Sequence, residues 1–140
     1  YQIIVNSLVN DNAMYAIRIS GNFNYIKTRA FPLIEAPFPV LSSILDRQRI
    51  FEYEHTSGIL VGYLLPEYLN GISISGFHFH FLSSDKKQGG HVLDFTCENL
   101  KVEIAELRSM ELEVSSDRSF QQFRFQNKYN EDLAKVGRGY

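Results

Sequence analysis

Gly76-Phe77-His78-Phe79-His80-Phe81, followed after a short gap by Gly89-Gly90-His91-Val92-Leu93-Asp94-Phe95, decides how this sequence folds and where its chemistry lies. In the first run the phenylalanines recur at every second position. Successive side chains of an extended strand point to opposite faces, and aromatic residues suit a half-buried pleated surface. The run therefore predicts a strand with Phe77, Phe79 and Phe81 towards a core and His78 and His80 together on the other face. Between the two runs, Ser83-Ser84-Asp85-Lys86-Lys87-Gln88-Gly89-Gly90 is polar and ends in glycines, the composition of a hairpin loop. With His91 to Phe95 as the returning strand, a symmetric pairing sets His91 opposite His80 and Leu93 opposite His78. All three imidazoles then converge.

Three of the chain's four histidines lie in this hairpin. Three neutral nitrogen donors that leave a position open are the pattern of a catalytic zinc rather than a closed structural one. Imidazole also suits other divalent transition metals, so the donor set alone does not select zinc. Cys97, the single cysteine, lies outside the cluster. The plainer alternative is three ordinary histidines on a half-buried sheet face.

At 140 residues the chain fits one domain able to bury a core without disulfides. Its 14 Lys and Arg against 16 Asp and Glu give a net charge of -2 without a basic stripe, which argues against a nucleic-acid partner. No apolar run is long enough to span a bilayer, and no basic segment followed by an apolar one opens the chain. The expectation is no membrane partner and a cytoplasmic location. The chain opens on Tyr1 rather than methionine, inside Tyr1 to Val9, which looks like the middle or end of a helix or strand. A portion of something longer is expected.

Elsewhere, Tyr15 to Ile19 alternates as a strand would, Ser20-Gly21-Asn22 suggests a turn, and Phe23 to Phe31 a return strand with Phe23, Tyr25, Lys27 and Arg29 on one face. The prolines of Pro32 to Pro39 exclude a helix interior or central strand. Val40, Leu41, Ile44 and Leu45 fit a short helix. Arg49 to Glu54 and Ile59 to Leu65 are expected as strands around a Thr56-Ser57-Gly58 turn. Leu100 to Ile104 and Met110 to Val114 each alternate as half-solvated strands. Phe120, Phe123 and Phe125 suggest packing, and Asn130 to Val136 a terminal helix. The fold class expected is α+β: a mostly antiparallel or mixed β-sheet with a few short helices and the metal site on a β-hairpin.

Taken together these residues resemble the alpha-acetolactate decarboxylase family. Its metal-binding signature is matched by Gly76 to Phe81, Asp85 and Gly89 to Phe95. Agreement extends to Tyr15-Ala16-Ile17-Arg18-Ile19-Ser20-Gly21, to Lys27-Thr28-Arg29 with Pro37-Phe38-Pro39, to Gly58-Ile59-Leu60-Val61-Gly62-Tyr63 with Pro66, and to Gly71-Ile72, so that it runs from about residue 13 to 107. The resemblance implies a metal-dependent carboxy-lyase that converts 2-acetolactate, a 2-hydroxy-3-oxo acid, to acetoin and carbon dioxide in the butanediol pathway. It matches His78, His80 and His91 to the zinc ligands and Arg29 to the active-site arginine. Zinc would act as a Lewis acid on the keto and hydroxyl oxygens. The family's members are two-lobed α/β proteins that commonly form dimers, so residues 1–140 would be the metal-binding portion, without the N-terminal lobe, of a homodimer.

Two departures accompany the match. Of the family's two acid-base glutamates, one belongs to the N-terminal lobe and the other is expected where Gly137 stands, with Glu131 nearby but unassigned. Asp94, a candidate to orient a histidine, has the parity that points it away from His91. A cupin-like metalloprotein also places His-x-His on a strand, but His91 follows too soon and its second motif is missing. A metal-binding β-domain that lacks catalytic completeness is the third reading.

Overall fold

Apolar residues at alternate positions draw Met14–Ala30 into one strand of 17 residues, β1, and Arg49–Leu65 into another of equal length, β2. The computed structural model describes residues 4, 8, 10–36, 38–39 and 41–124. Within it β1 and β2 run antiparallel from Tyr15 opposite Leu64 to Ala30 opposite Arg49. The two expected turns, Ser20-Gly21-Asn22 and Thr56-Ser57-Gly58, are both absorbed into this ladder, with Gly21 opposite Gly58. Each polar triplet finds its hydrogen-bonding partner in the other strand instead of folding back. Ser57 Oγ donates to Asn22 Oδ1 at 2.6 Å across the pair. Gly58 is there because of crowding: a Cβ on it would lie 2.4 Å from the Phe81 ring.

At this midpoint the other edge of β1 changes partner. Its first half, Met14 to Ser20, pairs with Lys101–Leu107, here β5. Its second half pairs with β4, Gly89–Cys97. Gly76–Ser83, β3, lies between β2 and β4, so β1, β2, β3 and β4 close a ring in which every pairing is antiparallel. Closure satisfies backbone donors and acceptors that an open edge would leave unpaired. Inside it, Ile17, Ile19, Phe23, Ile26, Leu60, Phe79, Phe81 and Val92 form the core. Phe23 packs edge-on against Phe81 and Phe95, with centroids 5.7 and 6.0 Å away. Phe79 and Phe81 are buried, as their alternation with the histidines requires.

The expectation that Phe23, Tyr25, Lys27 and Arg29 share a face is corrected by a bulge. The register against β4 slips between Phe23 and Tyr25, and again between Lys27 and Thr28. Burial moves from Ile17, Ile19 and Phe23 to Ile26 and Thr28, one position out of step. Phe23 thus belongs to the core, while Tyr25, Lys27 and Arg29 project to the opposite face.

The short helix expected near Leu41 is a tighter 3-10 segment, Leu41–Arg47, broken at Ile44. Met110 to Val114 joins no strand, and its apolar side chains are exposed. Alternation alone does not make a strand where no ladder partner is at hand among the described residues. A short helix, Arg118–Gln122 (α1), follows and carries Phe120. Among the described residues no helix is long and apolar enough to cross a membrane. Most of Tyr1 to Val9, with Pro37 and Val40, Phe125, the helix expected over Asn130 to Val136, and Glu131 and Gly137 lie outside the described residues.

Gly62 supports the strand that carries the histidines. A Cβ there would sit 2.0 Å from the His78 carbonyl oxygen and 2.7 Å from the Phe79 ring. Gly62→Ala is expected to destabilise the protein by about 2 kcal/mol or more, read from urea unfolding. An unchanged midpoint would contradict this close approach of β2 and β3.

Candidate metal centre

Cross-strand register places the candidate residues in a single row. Val61 of β2 faces His80 of β3, His80 faces His91 of β4, His91 faces Arg29 of β1, and Arg29 faces Ile50 of β2. Directly opposed residues project to the same side of a sheet, so this row lies on the face away from the core. His78, opposite Tyr63, flanks it. The β3–β4 ladder is short: His80 with His91, Phe81 with Gly90, Leu82 with Gly89. The expected pair of Leu93 with His78 is not formed, because β4 leaves β3 beyond His91 and joins β1.

The loop fixes this register. Ser83 Oγ donates to Asp85 Oδ1 at 2.6 Å, and Lys87 N donates to the same oxygen at 3.1 Å. These bonds, the Ser83 one first, hold the Asp85 carboxyl below its usual pKa. Ser83 N donates to Gln88 O at 2.9 Å, and Lys86 takes the left-handed conformation with φ of 60°. Asp85 is a turn-forming residue, its carboxylate engaged by Ser83 and Lys87. Gly90, at φ of 141°, lets β4 approach β1 so closely that a Cβ would lie 2.8 Å from the Arg29 carbonyl oxygen.

The three imidazoles converge. Ring centroids are 5.3 Å apart for His78 and His80, 4.7 Å for His78 and His91, and 5.4 Å for His80 and His91. Their nearest ligand atoms all lie within 4.8 Å of one another, and among the described residues this cluster consists of histidines alone. The Nε2 atoms of His78 and His80 are 3.2 Å apart. Two nitrogens on one tetrahedral zinc, each roughly 2.0–2.1 Å from the ion, stand about 3.3 Å apart. Burial, then the charges of His80 and Arg29, lowers the pKa of His78, and burial followed by Arg29 lowers that of His80. Neutral imidazoles with lone pairs available are the form that binds a metal. The donor set, its spacing and the lowered pKa of His78 and His80 fit a divalent ion.

Arg29 is 5 % exposed, and burial lowers its pKa, although a guanidinium remains charged at any physiological pH. Its Nη1 donates to Gln48 Oε1 at 3.3 Å, and among the described residues it joins no ion pair. Lys27, two positions earlier, pairs with Glu52 at 2.9 Å. Asp94 corrects an expectation. The bulge at Leu93 sets it opposite Lys27, which lies two positions from Arg29, the partner of His91, and so on the same side as His91. It is exposed, and its carboxylate accepts from Phe95 N at 2.8 Å. On the other flank a cleft of about 350 Å³ opens beside His78 and His80, walled by Val61, Tyr63, Leu65 and Ile74. Neither Gln48 nor this wall stands out in the sequence, since register alone brings them here.

The alpha-acetolactate decarboxylase family model matches residues 1–127. The chain belongs to this family. Among its relatives, the alpha-acetolactate decarboxylase of Methanosarcina mazei is 38 % identical over 132 residues, covering 93 % of this chain and 45 % of the relative. That of Bacillus licheniformis is 39 % identical over 125 residues, covering 89 % and 48 %. The chain thus spans about half the length of the curated relatives it matches. The fold agrees as well: the crystal structure of alpha-acetolactate decarboxylase from Bacillus subtilis strain 168 superposes with a TM-score of 0.90 at 32 % identity, over 97 % of this chain and 58 % of that one.

Metal analysis of the purified protein is expected to find about one divalent ion per chain, lost when His78, His80 and His91 are replaced by alanine. Stoichiometric metal in the triple variant would contradict the site.

Proposed function

We propose that His78, His80 and His91 hold a divalent metal ion, zinc first, on the β3–β4 hairpin. In the same reading this chain is the metal-binding portion of a protein that decarboxylates 2-acetolactate to acetoin and carbon dioxide. The observation that carries the proposal is the in-register row His80, His91, Arg29, which seats a buried cation, without an ion-pair partner among the described residues, beside three converging imidazoles. The relatives named alpha-acetolactate decarboxylase support the choice of reaction.

A bound zinc ion would supply Lewis acidity for the charge that develops on the substrate's keto oxygen as carbon dioxide leaves. The remaining work falls to the chain. Arg29 receives the substrate carboxylate, and its planar set of donors can take two oxygens at once. Because Arg29 is desolvated, that attraction is stronger than it would be in bulk water. The apolar wall of Val61, Tyr63, Leu65 and Ile74 suits the substrate's methyl groups. As the carbon–carbon bond breaks, its electron pair passes towards the keto oxygen as an enediolate, a proton from water then adds to the carbon that carried the carboxylate, and Arg29 holds that carboxylate in position until it leaves as carbon dioxide. A homodimer and a cytoplasmic location remain part of the same proposal.

The test is acetoin formation from 2-acetolactate by the zinc-loaded protein. Arg29→Ala is expected to lower kcat/KM by about 100-fold, the scale of a lost charge-assisted contact, while zinc content stays at wild-type level. Rates like wild type in Arg29→Ala would remove the arginine from the reaction.

A further inference from the structure

We propose that Gln48 is a positioning residue for Arg29, and that it is uncharged for a functional reason: it holds the guanidinium in place without neutralising it, so that the charge stays available to an anionic substrate. The inference rests on the decarboxylase reading and deepens it.

Three cations project from β1 on the face away from the core, and two of them meet carboxylates. Arg18 pairs with Glu103, and Lys27 pairs with Glu52. Arg29, the most buried of the three, is the exception. Among the described residues its side-chain partner is an amide, with Gln48 Oε1 3.3 Å from Nη1. Buried charges are ordinarily paired, since removing an ion from water is costly unless an opposite charge compensates. Acidic residues are available on this same face, at Glu52 and Asp94, yet the register assigns both to Lys27. Arg29 keeps its charge beside the histidines.

The backbone presents Gln48 for this role. It follows the 3-10 segment Leu41–Arg47, donates its own N–H to Leu45 O at 3.3 Å, and immediately precedes β2. Ile50, two residues on, is the direct cross-strand partner of Arg29. Gln48 is therefore carried to the guanidinium by the start of the ladder, not by a flexible loop. Its carbonyl oxygen accepts one of the five N–H groups of an arginine and leaves the others for a carboxylate. A glutamate of the same length would accept the same hydrogen bond, add a full negative charge, and compete with the substrate for the cation.

The experiment compares wild type, Gln48→Glu and Gln48→Leu in the zinc-loaded protein. The probe is 2-hydroxy-2-methylpropanoate, a 2-hydroxy carboxylate without the ketone that decarboxylation requires; its binding is followed by titration calorimetry, and acetoin formation is measured alongside. Gln48→Glu is expected to weaken probe binding at least tenfold and to raise the KM for 2-acetolactate in parallel, with kcat within about threefold of wild type. Gln48→Leu, which loses the anchor but leaves the charge, is expected to weaken binding less than the glutamate and to lower kcat instead. Gln48→Glu binding the probe as wild type does would overturn the proposal, as would Gln48→Leu losing more affinity than Gln48→Glu, or a wild-type protein that does not bind the carboxylate at all. Wild-type protein that binds the probe but forms no acetoin overturns the decarboxylase reading, and the ranking of the two variants still decides the role of Gln48.

Discussion

The site depends on β4 entering the gap between β3 and β1. That insertion closes the ring, and it is feasible only because Gly89 and Gly90 carry no side chain where Phe81 O and Arg29 O approach within 2.9 and 2.8 Å of a Cβ position. With the strands this close, register is set by backbone hydrogen bonds and cannot drift without moving the core. His80, His91 and Arg29 then stand opposite one another as a consequence of pairing. Strand pairing is a rigid way to hold three side chains from three strands, and rigidity is what a preorganised metal and anion site requires.

The electrostatics of the row follow from the same geometry. Desolvation acts on two histidines and on the arginine, but with different outcomes. It keeps His78 and His80 neutral and so ready to donate lone pairs, whereas the guanidinium stays charged because its intrinsic basicity is far beyond reach. The positive charge of Arg29 further discourages protonation of both histidines. Neutral donors at His78 and His80 beside a fixed cation suit a ligand that brings a carboxylate at one end and neutral oxygens at the other. Acetolactate has that form.

Much of this was legible in the residues. Phe77 to Phe81 alternates so regularly that the faces of β3 follow from it, and the loop Ser83 to Gly90 announces the hairpin. Those local signals were enough to set His80 opposite His91. The long strands were not legible, because Ser20-Gly21-Asn22 and Thr56-Ser57-Gly58 have turn composition; only their pairing with each other, through Gly21 and Gly58, keeps them extended. The bulges near Asn24 and at Leu93 leave no mark in composition, yet they decide that Phe23 parts from Tyr25 and that Asp94 lies on the side of His91. Gln48 was hidden for a related reason. It is 19 positions from Arg29, and only the β1–β2 register joins them.

The proposed metal ion sits among His78, His80 and His91. X-ray absorption at the zinc edge of the metal-loaded protein measures that directly. Three imidazole nitrogens at about 2.0–2.1 Å, with the remaining ligands oxygen, are the expected result. A shell containing sulfur at about 2.3 Å, which would place the ion at Cys97, or fewer than two imidazoles, would contradict it.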